Sequence, residues 1–149
     1  LPLVKYFFPK ACMVPVGVPP CPVAEKIGEA AVGAARHLGI DMVVVGSTDL
    51  THYGEDFGFA PAGIGIKARE WMEKKNDAAA MDAMRAMDVN EILFQGRQRR
   101  NMCCAGAVAA TVAAARALGA IKGNVLGYAN SFDKSPGTSM VGYTGVLFG

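Results

Sequence analysis

The chain has 149 residues, with 52% hydrophobic and 19% charged residues, 18 glycines and a net charge of +2. That length and apolar content describe one globular domain with a real core and exclude a disordered chain. So small a net charge gives no electrostatic ground for nucleic-acid binding.

Leu3 to Phe8 is apolar and aromatic and closes at Pro9, which predicts a short helix or turn. Cys12 to Val18 reads as a first strand, with Pro15 placing it at an edge. From Pro22 to Leu38 the spacing is helical: Ile27, Ala31, Ala34 and Leu38 form the predicted buried stripe, opposite Glu25, Glu29 and Arg36. Ile40 to Gly46 then reads as a central strand, because three consecutive valines suit a strand covered on both faces. Strand, helix and strand together predict a right-handed parallel crossover.

After His52 the stretch from Tyr53 to Gly65 is rich in glycine and aromatics and reads as a loop that covers the preceding turn. Ile66 to Lys75 and Asp77 to Met87 read as two helices with Asn76 as a cap between them. Asp88-Val-Asn-Glu91 is a capping-box pattern that starts a further short helix ending near Gly96. Met102 to Leu118 is an Ala-rich helix with Val108, Val112 and Ala115 as its stripe. Its alanines and the internal Arg116 make it a core helix rather than a membrane span. Gly123 to Phe132 and Ser139 to Phe148 read as a hairpin closed by Asp133-Lys-Ser-Pro-Gly137. The predicted class is α/β, with a mixed, mostly parallel sheet and helices on its faces.

Four cysteines without a secretory signal or a dense framework read as reduced thiols of a cytoplasmic protein. Cys103 and Cys104, being adjacent, are not expected to pair with each other.

Two groups of residues carry candidate chemistry. Asp49 and His52 stand just past the predicted central strand, at the carboxyl end where ligands gather in α/β sheets. A carboxylate beside an imidazole fixes its tautomer and raises its basicity, as a general base requires, and the same pair can ligate a metal. A plain turn cap is the competing role for Asp49. Cys103 and Cys104 precede the Ala-rich helix, whose amino-terminal dipole favours thiolate; such a sulfur is a soft metal ligand or a nucleophile. His37 reads as a surface group near a helix end. Arg97, Arg99 and Arg100 read as a solvated edge.

Gly46-Ser-Thr-Asp-Leu-Thr-His-Tyr-Gly54 resembles the Ser-Ser-Asp-Leu-Ser-His-Tyr signature of the Memo-like family, also called AmmeMemoRadiSam system protein B. Cys103 with the helix to Ala120 is similar to that family's cysteine-plus-helix segment. Tyr128-Ala-Asn-Ser131 with Ser139-Met-Val-Gly-Tyr143 resembles its closing strands. Leu1-Pro2, Phe7-Phe8-Pro9 and Val14-Pro15-Val16 resemble its Leu-Pro, Phe-Pro and Val-Pro stretch. The resemblance runs nearly end to end over this chain and over the family's carboxyl-terminal half. Residues 1–149 are accordingly a single α/β domain or the carboxyl-terminal portion of a larger Memo-like domain.

The resemblance implies a fold akin to class III extradiol dioxygenases and a centre holding iron or copper. It assigns Cys103 as a metal ligand, with His52 as acid/base and Asp49 as its orienting partner, while Cys104 stands where the family often has Gly. Two further histidines of the family's amino-terminal half have no counterpart here, which implies a missing amino-terminal half or a docked companion chain. The leading expectation is a metal-dependent oxidoreductase of dioxygenase-like architecture. The alternatives are a non-catalytic binding protein for a peptide or small molecule, with the three arginines as phosphopeptide contacts, and a Cys/His hydrolase. Neither nucleic acid nor a membrane is an expected partner; a homo-oligomer is compatible with the sequence.

Overall fold

A computed structural model describes residues 2–149; Leu1, part of the Leu1-Pro2 match, lies outside them. In chain order the elements are α1 (Pro2–Phe7), α2 (Val23–Leu38), β1 (His52–Tyr53), α3 (Ile66–Trp71), α4 (Ala78–Arg85), α5 (Val89–Phe94), α6 (Ala105–Leu118), β2 (Gly123–Asn130) and β3 (Met140–Phe148). No helix among the described residues is long and apolar enough to cross a membrane.

The sheet corrects the sequence-based expectation. It has three strands in the order β1-β3-β2, and both pairings are antiparallel. The β2–β3 hairpin forms as its turn residues dictate, and β1 lies against the start of β3 with His52 opposite Val141 and Tyr53 opposite Met140. The segments expected to supply the parallel strands, 12–18 and 40–46, form no strand and have no strand partner among the described residues. Each meets α6 at its end: the carbonyl of Val18 lies against Gly106, and Gly46 sits against Thr111. Residues 12–17 are exposed, as are Val43 (87%) and Val45 (71%). The valine run has the residue types of a buried strand, but a strand is completed by its neighbours, and here none stands beside it.

Helix α2 spans the predicted residues but buries a different face. Ala24, Gly28 and Val32 point inward, while Ala31, Ala34 and Leu38 face solvent. The reason is close approach. A Cβ built on Gly28 would sit 2.1 Å from the carbonyl oxygen of Ala110, so only glycine lets α2 lie this near α6. A stripe of small residues decided the contact over a stripe of larger ones.

The main core gathers Met81, Met84, Ile92 and Leu93 of α4 and α5 with Val108, Ala109 and Val112 of α6, covered by Val125, Tyr128, Val146 and Phe148 of the hairpin. Between α3 and α4 the backbone does not break at a cap. Met72–Asp77 is a π-helical turn that joins them, and Asn76 is buried rather than capping. A second π turn, Gln95–Arg99, carries α5 beyond Gly96 to Arg100, which takes φ 55°. The predicted cap at Asp88 is present: its Oδ1 accepts from the Glu91 N–H at 3.0 Å.

Candidate metal site at the head of helix α6

β1 is only two residues long, so its position rests on the residues just before it. Leu50 N–H donates to Gly142 O at 2.9 Å, and Gly142 N–H returns a bond to Thr51 O at 3.0 Å. Leu50, Thr51 and Tyr53 are buried, which leaves Asp49 and His52 as the half-exposed residues of the segment. Their side chains meet: His52 Nε2 lies 3.1 Å from Asp49 Oδ2. Phe57, from the loop after β1, leans on the imidazole with ring centroids 4.9 Å apart. That loop is clipped down by Tyr53, whose hydroxyl donates to Gly63 O and accepts from Ala62 N–H, both at 2.9 Å.

The thiols arrive from the other side. Cys103 N–H donates to Asp49 O at 3.2 Å, and Asp49 N–H donates to Cys103 Sγ at 3.3 Å, a two-way clasp between the strand end and the head of α6. Thr48 completes it: its Oγ1 accepts from Cys104 N–H at 3.0 Å, satisfying one of the amides at the helix start, and donates to Asp49 O at 2.8 Å. Asp49, His52 and Cys103 thereby each present a donor atom, all lying within 4.8 Å of one another.

This layout discriminates between chemistries. In a nucleophile–imidazole–carboxylate relay the acid and the nucleophile bond opposite ring nitrogens, which separates them by roughly 7 Å or more, two hydrogen bonds plus the ring. Three donors within 4.8 Å of each other instead converge on a common point, as ligands around an ion do. One sulfur, one nitrogen and one oxygen suit a redox ion such as copper or iron, so the residues present fit the group that the family resemblance implies.

Cys104 lies 3.7 Å from Cys103, sulfur to sulfur. Its interaction with Cys103 raises its pKa, with burial and the charges of Cys103 and Asp49 adding in the same sense.

Beneath the turn lies a polar network that inspection of the sequence did not find. Asp77 is fully buried, and its Oδ1 accepts from both the backbone N–H (3.0 Å) and the hydroxyl of Thr51, while its Oδ2 accepts from Tyr128 at 2.8 Å. Asn76 donates to Thr51 Oγ1 at 2.9 Å, and Asn101 donates to the Asn76 carbonyl at 2.8 Å. Burial pushes the Asp77 carboxyl up, with the bonds from Thr51 and Tyr128 opposing; burial and the charge of Asp77 push the Tyr128 phenol up strongly. The π turn at Met72–Asp77 turns consecutive polar residues inward, a deviation often found near functional sites. The signal that could have exposed this network is Asn-Asp in a predicted helix with no exposed partners in reach.

The remaining candidates stand apart. His37 is exposed near the end of α2, as expected. Arg100 packs its guanidinium 4.7 Å above the Phe59 ring and donates to Phe57 O at 3.2 Å, so it holds the loop down rather than facing outward as a free anion contact. An open groove of about 560 Å³ bordered by Glu25, Met87, Asp88 and Arg116 shares no residue with the donor cluster.

The sequence profile described as "Memo-like protein" matches residues 1–147. A MEMO1 family protein of Thermococcus kodakarensis is 31% identical over 156 residues, covering 99% of this chain and 54% of that protein. One from Methanopyrus kandleri is 35% identical over 127 residues, covering 84% of this chain and 40% of its own length, and one from Nitrosopumilus maritimus is 30% identical over 128 residues, covering 85% and 41%. The chain spans about half the length of the relatives it matches. With a profile match over nearly every residue, the chain belongs to the Memo-like family.

Proposed function

We propose that this chain supplies one side of the metal centre of an oxidoreductase with dioxygenase-like architecture, binding iron or copper. The observation that supports the reading is the convergence of a thiol, an imidazole and a carboxylate within 4.8 Å. In this reading Cys103 holds the ion, and a redox ion bound there supplies one-electron chemistry. His52, its ring oriented through Nε2 by Asp49, holds and passes a proton beside it. Phe57 excludes water from one face of the imidazole.

The remaining ligands come from a further polypeptide segment, the amino-terminal half of a larger Memo-like domain or a companion chain. Two findings support that part. The chain spans about half of its relatives, and segments 12–18 and 40–46 leave edges with exposed valines and no strand partner among the described residues. Such edges pair readily with an added strand.

The test is reconstitution of the chain with that companion segment, under anaerobic conditions, followed by assay of bound iron and copper. Near-equal metal to protein, lost in Cys103→Ala, is the expected result. No bound metal would refute the oxidoreductase and favour a binding protein.

A further inference from the structure

We propose that Arg100 is a positioning residue for His52: its guanidinium latches the tip of the 54–59 loop so that Phe57 stays seated against the imidazole. What His52 does with that placement rests on the metal-centre reading above; the placement itself does not.

The loop has a fixed neck and a weakly held tip. At the neck Gly54 N–H donates to Phe59 O at 2.8 Å, and Phe59 N–H returns a bond to Gly54 O at 3.2 Å. Gly54, at φ 113°, packs so closely on the residues before β3 that a Cβ would stand 2.3 Å from the Thr138 carbonyl oxygen. Beyond the neck Glu55, Asp56 and Gly58 are exposed, and Phe57 is only half-buried. A tip with so little buried apolar surface opens readily unless something else holds it.

Arg100 supplies that hold. Its guanidinium lies 4.7 Å above the Phe59 ring and donates to Phe57 O at 3.2 Å and to Gly58 O at 3.5 Å. One planar fork thus grips the aromatic ring at the neck and two carbonyls at the tip. Through the Phe57 backbone it keeps the Phe57 and His52 ring centroids 4.9 Å apart.

The latch is itself preset. Arg100 takes φ 55°, a left-handed conformation that glycine adopts freely and a residue with a side chain adopts at a cost. Such backbone persists where its surroundings over-determine it, and both neighbours of Arg100 are pinned. Asn76 Nδ2 donates to Arg99 O at 3.2 Å. Asn101, fully buried, donates to Asn76 O at 2.8 Å and to Gln95 Oε1 at 2.6 Å. The same segment runs on to Cys103, so the thiol and the latch over the imidazole arrive on one arm.

The experiment uses the two histidines of the chain, His52 and the exposed His37, the second as internal reference. Their ring-proton resonances are recorded at pH about 8.5, above the usual imidazole value of ~6.5, so that protonation does not enter the shift. The ring current of Phe57 should displace the His52 resonances, and Phe57→Ala should abolish the displacement. Arg100→Gly removes the guanidinium and relieves the left-handed backbone; it is expected to lose the same displacement while unfolding in urea no earlier than wild type. Arg100→Lys, which still places a cation near Phe59, should regain part of it. Diethyl pyrocarbonate should modify His52 relative to His37 about threefold faster in either single variant, and no faster in Phe57→Ala with Arg100→Gly than in Phe57→Ala alone, because the two residues act as one unit.

Unchanged His52 resonances in Arg100→Gly, or additive rates in the double variant, would overturn the assignment. Lower urea stability with lost amide-exchange protection along α6 would make Arg100 a support of the fold and overturn it as well. In the protein reconstituted with its companion segment, Arg100→Gly should keep the metal that Cys103→Ala loses; loss in both would tie Arg100 to the thiol instead of the imidazole. A wild type without metal would remove the metal-centre reading, while the His52 spectrum still decides the latch.

Discussion

Thr51 is held twice by Asp77, through its backbone N–H and through its hydroxyl, both on the same carboxylate oxygen. Thr51 sits between Asp49 and His52, so a fully buried acid from the α3–α4 junction fixes the residue on which the candidate site hangs. Gly142 closes the arrangement: a Cβ there would lie 2.1 Å from Asp77 Oδ2, so no larger residue passes.

Removing the carboxylate in Asp77→Ala orphans the buried N–H of Thr51 and the Tyr128 hydroxyl. Each buried donor left without a partner costs about 1–3 kcal/mol. A loss on the order of 3 kcal/mol in urea unfolding is expected, together with weaker metal binding at Cys103, since the strand end loses its anchor. An Asp77→Ala chain as stable as wild type would remove the anchoring role.

Asp77→Asn gives a different readout, because the amide keeps the shape and cannot ionise. Burial holds the Asp77 carboxyl above its usual value. Such a group binds its proton more tightly when folded, so its contribution is fully present below the unfolded pKa of ~3.9 and is lost as pH rises through the folded value. Stability of wild type relative to Asp77→Asn should therefore fall as pH rises from about 4, then level off. Urea denaturation across that range measures the difference; a difference that rises with pH would contradict the sign.

Gly28→Ala tests the α2–α6 contact. The added methyl meets the Ala110 carbonyl, which is backbone and cannot swing away. Overpacking of this kind costs about 1–3 kcal/mol, more than the gain in helix propensity returns. Gly33→Ala, on the open face of the same helix with nothing within 4 Å, should instead be neutral or stabilising. Thermal unfolding of the two variants separates packing from propensity.

Thr48→Val removes the hydroxyl that receives Cys104 N–H while keeping the side-chain shape. A loss of about 1 kcal/mol is expected from the uncapped amide. Alkylation of Cys103 and Cys104 should change rate, since Thr48 Oγ1 also lies 3.6 Å from Cys103 Sγ. Unaltered thiol reactivity would show that the hydroxyl serves only the helix start.

The bare segments give a fifth test. Val14 and Val43 are exposed, so Val14→Lys with Val43→Lys should alter the stability of the chain by no more than about 0.5 kcal/mol. The same pair should lower light scattering of the isolated chain and weaken its association with a companion segment, because charges on an open edge block strand addition. Loss of stability without loss of association would reverse the reading of that face.

Local signals were legible where the physics is local. The helix cap at Asp88, the Ala-rich helix before Leu118 and the hairpin turn around Pro136 each depend on neighbours a few residues away, and each is found. The face of α2 was not legible, because Gly28 contributes no hydrophobic signal and acts only through a partner more than eighty positions later. The valines at 43–45 carry the chemistry of an inner strand, yet sheet type is a property of pairs, and their expected partners are absent beside them. The meeting of Cys103 with His52 across the chain came from resemblance rather than from spacing. Asp77 was missed because the partners that account for its burial, Thr51 and Tyr128, lie 26 and 51 positions away, and Asn-Asp alone is a faint signal.

The clasp between Asp49 and Cys103 makes the sulfur proposed as a ligand a structural tie as well. Oxidation to a sulfinic acid would place two oxygens where the sulfur now meets the amide of Asp49, and that step is irreversible without a dedicated repair enzyme. Damage at this thiol would accordingly do more than poison a centre: it would push the imidazole-bearing turn off the helix, so that lost chemistry and loosened architecture arrive in a single event.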